Sequence, residues 1–171
     1  LPTNIANGTN RIAIVIQSLS GALGYKSKGI SNFPFNIYLG ISASIGAVIG
    51  AQIAIDLDGR LFNRILAIIL IVVGGLILMN AKNLTHKLPE RLTGKYLLFG
   101  IIGFFFIGIY GGFINAGIGI VIMLFLNRIN RLSLVKTNAS KTAIVFIYSS
   151  LALAVFAFND AINWKLGLLM A

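Results

Sequence analysis

The chain has 171 residues, of which 57% are hydrophobic and only 11% charged, and its mean hydropathy is +0.92. A soluble domain carries about 25% charged residues, so there is too little polar surface here for a water-facing fold. Fourteen Lys and Arg against four Asp and Glu give a net charge of +10. The basic residues sit in short breaks between apolar runs, where lipid headgroups and the positive-inside bias explain them and nucleic acid need not. Cysteine is absent, which excludes disulfides, Cys-ligated zinc and thiol catalysis.

A membrane-spanning helix needs about 20 mostly apolar residues. Ile12–Tyr25 reaches that length if its helix starts near Ile5, with Pro2 at the helix start, where its missing N–H is no loss. Asn7, Thr9, Asn10 and Arg11 then fall in the first turns. Phe35–Ile55 has no charge, and its Gly46–Ala51 stretch sets small residues four apart, continued by Ala43 and Ala54. Such a row lets another helix pack closely, which is its expected role. Leu61–Met79 carries only Arg64. His86 stands alone in the following polar break and reads as a solvated loop residue. Tyr96–Leu126 is charge-free and longer than one span requires. Thr137–Phe158 carries only Lys141, and Ile162–Ala171 begins another run. The expected fold is all-α: a polytopic transmembrane helix bundle with five complete apolar segments and one started. Because it begins with Leu1 and stops inside an apolar run, the chain reads as an internal piece of a longer protein, or a processed or trimmed one.

The segment from Gly108 to Gly119 is the most informative. Its five glycines weaken a helix, each costing up to about 1 kcal/mol relative to alanine. Broken backbone in lipid is tolerated only beside protein or a water-filled cavity. A break also makes new helix ends, and an N-terminal end with its free N–H groups suits an anion. Asn115 adds an amide donor at the same depth. The competing reading is that the glycines only permit close packing. The run is either one broken span or a re-entrant hairpin. A single crossing divides the basic residues evenly between the two sides. A hairpin puts ten of the fourteen on one side, with Lys26, Lys82 and Arg128, and so favours that side as cytoplasmic.

An offset of 131 residues lays the first segment over the fifth: Leu1 on Leu132, Asn7 on Asn138, Thr9 on Ser140, Ser18 on Ser149. A slip of one residue in the next loop sets Ile30 against Ile162. This weak internal repeat makes residues 1–95 the end of one repeat and 96–171 the start of a second, within a single transmembrane domain. Repeats of this kind are common in transporters. Asn7, Thr9, Asn10 and Arg11, echoed by Asn138, Ser140 and Lys141, put polar side chains where they are costly in a membrane. Arg11 and Lys141 either balance a bound anion or snorkel to the headgroups, and the Asn and Thr residues are alternatively helix caps.

The run Tyr110–Gly119, then Thr137-Asn-Ala-Ser-Lys-Thr-Ala143, the loop reaching Ala161-Ile-Asn-Trp164, and in the first half Asn4–Arg11 followed by the Gly40–Ala51 helix, together resemble the sulfite exporter TauE/SafE family. The resemblance implies a permease of the cytoplasmic (inner) membrane, multi-pass and built from two related halves. Its substrates would be small anions, often sulfur oxyanions such as sulfite, or organosulfonates. Carried over by position, Gly111, Gly112, Asn115, Gly117 and Gly119 form the second-half glycine motif. Asn7, Thr9, Asn10, Asn138, Ser140 and Lys141 lie at the paired polar helix starts. Relative to that family the chain lacks the first glycine-rich segment and the last helices. The expected partners are a small anionic substrate and membrane lipid, with homo-oligomers allowed and no nucleic acid. No cofactor, metal site or enzymatic activity is expected, since the apolar runs hold no Cys, His pair or carboxylate dyad. The alternative function is a non-transporting scaffold or subunit of a membrane complex.

Overall fold

A computed structural model describes residues 2–80 and 89–171; His86, Lys82, Lys87 and Leu1 lie outside the described residues. Those residues form an all-α fold of seven helices: α1 Thr3–Ser27, α2 Phe33–Asp56, α3 Gly59–Asn80, α4 Lys95–Phe113, α5 Ile118–Arg128, α6 Leu134–Phe158 and α7 Trp164–Leu169. Helices α2, α4 and α6 are long and apolar enough to cross a membrane. The number exceeds the six segments read from hydropathy because the long charge-free run splits into α4 and α5.

Helix α2 packs through its small residues. It buries its small residues, Ala43, Gly46, Ala47, Gly50 and Ala51, and turns Ile41, Ile45, Ile49 and Ile53 outward. In lipid, large side chains gain little from hiding, so close backbone approach drives association. The small stripe meets its like on α4. A Cβ added at Gly108 would collide with the Ala43 carbonyl, and one at Gly112 with that of Ala47. In the other direction, Gly46 and Gly50 press on the Phe105 and Ile109 carbonyls. The pairing advances together along both helices, so α2 and α4 run parallel. Ser42 ties them by donating to the Ile101 carbonyl at 2.6 Å.

Helix α5 turns back along α4. The Phe104 and Phe125 rings meet edge to face at 5.5 Å. At the base of this hairpin the Arg91 amide donates to the Asn130 carbonyl at 2.9 Å, and Asn130 Nδ2 returns a bond to the Arg91 carbonyl at 2.9 Å. The chain therefore enters α4 and leaves α5 at one end of the bundle, where Lys136 also pairs with Glu90 at 2.8 Å.

Helices α1 and α6 pack antiparallel, with Gly8 against Phe156 and Gly21 against Thr142. Both are 25 residues long, and helix boundaries repeat at an offset of 131 (3 to 134, 27 to 158, 33 to 164). The contacts around them are reciprocal. Thr9 Oγ1 accepts from the Asn163 amide at 2.9 Å, while Ser140 Oγ receives Asn32 Nδ2 at 3.4 Å. Asn32 and Asn163 each precede the next helix, so the helix starts keep the offset without the one-residue slip that the Ile30–Ile162 pairing requires.

Candidate functional site

The glycine segment is broken. Helix α4 stops at Phe113 and α5 starts at Ile118. Asn115 (φ 63°) and Gly117 (φ 69°) adopt left-handed backbone. Asn is among the side chains that tolerate this conformation best, and Gly meets no steric cost in it.

A break frees carbonyls on one side and amides on the other, and in lipid each needs a partner. The carbonyls have theirs. Tyr110 O accepts from the amides of Ile114 at 3.0 Å and Asn115 at 3.4 Å. Gly111 O and Gly112 O both accept from Arg11, the former at 3.1 Å. Phe113 O accepts from Asn7 Nδ2 at 2.7 Å, and Ala116 O accepts from the Tyr110 hydroxyl. Asn7 and Arg11 are four apart on α1, so one face of that helix caps the end of α4. The amides of Ile118 and Gly119, in the first turn of α5, have no carbonyl partner among the described residues.

Both residues line a cavity of about 230 Å³, together with Ile14, Gln17, Ser18, Asn115, Lys141, Thr142 and Val145. It lies where α1 and α6 meet the start of α5. Its lining holds one cation, Lys141, and no carboxylate. The Ser18 hydroxyl donates to Ile14 O at 2.6 Å and that of Thr142 to Ala139 O at 2.9 Å. Gly119 opens toward the lysine: a Cβ there would stand 3.6 Å from Lys141 Cδ, an ordinary contact.

Of the eleven residues singled out from sequence, Asn115, Gly119 and Lys141 line the cavity. Gly117 caps α5, and Gly112 lies against the Ala47 backbone. Gly111 lies beneath the Tyr148 ring, which a Cβ would approach to 2.9 Å. Asn7 holds Phe113 O, while Thr9 and Ser140 hold the residues preceding α7 and α2. Asn10 is exposed and Asn138 half-buried, and neither lines the cavity. The side chains that cap helix N-termini among the described residues are those of Ser133 and Asn163, and none of the Asn and Thr residues of the two polar clusters does so. Arg11 neither snorkels nor lines the cavity. It is fully buried, with its Cζ 4.8 Å from the centre of the Phe156 ring, and its Nε and Nη1 have no hydrogen-bond partner among the described residues.

One residue escaped the sequence reading. Tyr148 is fully buried and donates its hydroxyl to Asn115 Oδ1 at 2.7 Å. A readable signal existed: a tyrosine in mid-segment, on the α6 face of Lys141 and Val145 by helical spacing, needs a partner for its hydroxyl.

The sequence profile of the sulfite exporter TauE/SafE family matches residues 1–171, and the chain belongs to that family. Among curated proteins it is similar to a "probable membrane transporter protein" of Haemophilus influenzae, 26% identical over 170 residues. That match covers 99% of this chain and 66% of the relative. It is also similar to a "probable membrane transporter protein ORF9" of Sinorhizobium sp., 27% identical over 163 residues. There the match covers 95% of this chain and 62% of the relative. The chain thus spans less than two thirds of the length of these relatives. No solved structure matches it significantly. Family membership and the three apolar helices make this a membrane protein.

Proposed function

We propose that this TauE/SafE family member, within its full-length protein, is a permease for small anions of the cytoplasmic membrane, with sulfur oxyanions such as sulfite or organosulfonates as substrates. The cavity beside Asn115 is its binding site. One observation carries this reading: the carbonyls freed by the broken helix have protein donors, while Ile118 and Gly119, whose amides lack a carbonyl partner among the described residues, line a cavity with Lys141. The imbalance leaves donors and positive charge for a guest, as at the half-helix sites of other transporters. Asn115, Gly119 and Lys141 contact the anion in this scheme. Gly111, Gly112, Gly117, Asn7, Thr9 and Ser140 hold the backbone around it.

The reciprocal Thr9–Asn163 and Ser140–Asn32 contacts and the constant offset of helix ends support two related halves, divided near residue 95. The α4–α5 hairpin is then a re-entrant element, entering and leaving on the side of Lys26, Arg91 and Lys136, which the positive-inside bias makes cytoplasmic. The scaffold alternative accounts for Gly108 and Gly112, which are tight backbone contacts. It does not account for Gly119, which meets only the Lys141 side chain, at ordinary contact distance.

The test is flux of sulfite, thiosulfate and methanesulfonate into proteoliposomes holding the full-length protein. Lys141→Met and Gly119→Leu are expected to lower flux at least about tenfold at unchanged protein level, the scale of a lost charge-assisted hydrogen bond. Wild-type flux in both variants would overturn the assignment of the cavity.

A further inference from the structure

We propose that Tyr148 is a positioning residue that fixes which end of the Asn115 amide faces the anion. The inference rests on the proposed reading of the cavity as an anion site. An asparagine presents a carbonyl oxygen at one end and an NH2 group at the other, and only the second attracts an anion. Asn115 stands at the cavity in left-handed backbone, so its side chain leaves the break in a direction set by the fold. Its Oδ1 accepts from the Tyr148 hydroxyl at 2.7 Å. Its Nδ2 has no protein partner among the described residues. With the oxygen held, the NH2 end is the one left for the cavity.

Tyr148 can hold that choice because it is itself immobile. Its side chain is fully buried, and its ring lies on the backbone of Gly111, where any Cβ would intrude. Asn115 Oδ1 is the acceptor its hydroxyl proton finds. Turning the amide over would leave that buried proton without an acceptor, which is costly, and would aim a carbonyl oxygen at the guest. Tyr148 does not line the cavity; it acts through Asn115. With Asn115 held this way, its NH2 group adds a donor to the positive charge of Lys141 at the same cavity, which favours an anion.

The experiment is sulfite transport by the full-length protein in proteoliposomes, with wild type, Tyr148→Phe, Asn115→Ala and the double variant. Tyr148→Phe removes one oxygen and keeps the ring on Gly111. It is expected to raise the KM for sulfite about tenfold, with the maximal rate within about twofold. In the Asn115→Ala background, Tyr148→Phe is expected to have no further effect on KM, because the amide it positions is gone. An unchanged KM in Tyr148→Phe, or KM effects that multiply in the double variant, overturns the inference while leaving the anion site standing. A wild-type protein that carries neither sulfite, thiosulfate nor methanesulfonate overturns both.

Discussion

The guanidinium of Arg11 donates to the carbonyl of Gly111 at 3.1 Å, joining residues 100 apart in the chain. With its second bond to Gly112, it places a fixed positive charge on the negative end of the α4 dipole. A buried arginine in a membrane segment is expensive, and here the cost is offset by carbonyls that would otherwise be bare in lipid. Hydrogen bonds from a charged group are worth about 1.5–3 kcal/mol each, and burial of the charge returns part of that when the group is removed. Arg11→Ala is therefore expected to destabilise the full-length protein by about 3 kcal/mol. Thermal unfolding in detergent would read it. A melting temperature equal to wild type would show that the carbonyls find other donors.

The glycines of the motif divide into two kinds that substitution separates. Gly112 touches the Ala47 backbone, so even alanine must push two helices apart. Overpacking of this sort costs about 1–3 kcal/mol, and backbone on both sides puts Gly112→Ala at or above the upper end. Gly119 meets only the flexible Lys141 side chain at ordinary distance. Gly119→Ala removes a helical glycine and should gain about 0.5–1 kcal/mol while narrowing the cavity. Melting temperature falls in the first variant and holds or rises in the second, whereas anion flux falls in both. Equal melting temperatures would refute the distinction.

Much of this arrangement is legible in the sequence. The apolar lengths give the helices, of which α2, α4 and α6 are long and apolar enough to span; the small stripe of α2 gives a close helix contact, and the glycine density between Gly108 and Gly119 gives the interruption. The destinations of Arg11 and Tyr148 are not legible, because each reaches a partner brought near only by tertiary packing. Composition alone allowed Arg11 the headgroups or the anion. The capping of a helix end that exists only after the break forms has no local signature. The Ile30–Ile162 match illustrates the same limit: apolar identity in a loop suggested a slip, while the constraint falls on Asn32 and Asn163, which precede the next helices.

Gly117 carries a conformational requirement. At φ 69° it opens α5, and left-handed backbone costs a residue with a Cβ roughly 1–2 kcal/mol. Gly117→Ala should lower stability by that amount, and Gly117→Asn by less, since asparagine tolerates the region better. The order Gly, Asn, Ala in melting temperature is the expected outcome. A different order would mean that the segment rearranges to relieve the strain.

The hairpin fixes a sidedness that a single crossing of Tyr96–Leu126 would reverse. Glu90 pairs with Lys136 and Arg91 with Asn130, so the approaches to α4 and α6 share one end of the bundle. Asp58 and Asn159 lie at the other, each beyond the far end of a parallel helix, α2 or α6. This chain has no cysteine, so in a full-length protein made cysteine-free, single substitutions report cleanly. Lys28→Cys, Glu90→Cys and Ser133→Cys should react with a membrane-impermeant maleimide from one side only. Asp58→Cys and Asn159→Cys should react only from the opposite side. With basic residues Lys26, Arg91, Arg131 and Lys136 near the first group, the positive-inside bias predicts labelling of that group from the cytoplasmic side. Ser133→Cys is decisive: labelling from the side opposite Glu90→Cys would mean that α4 and α5 together cross the membrane, and the re-entrant assignment would fall.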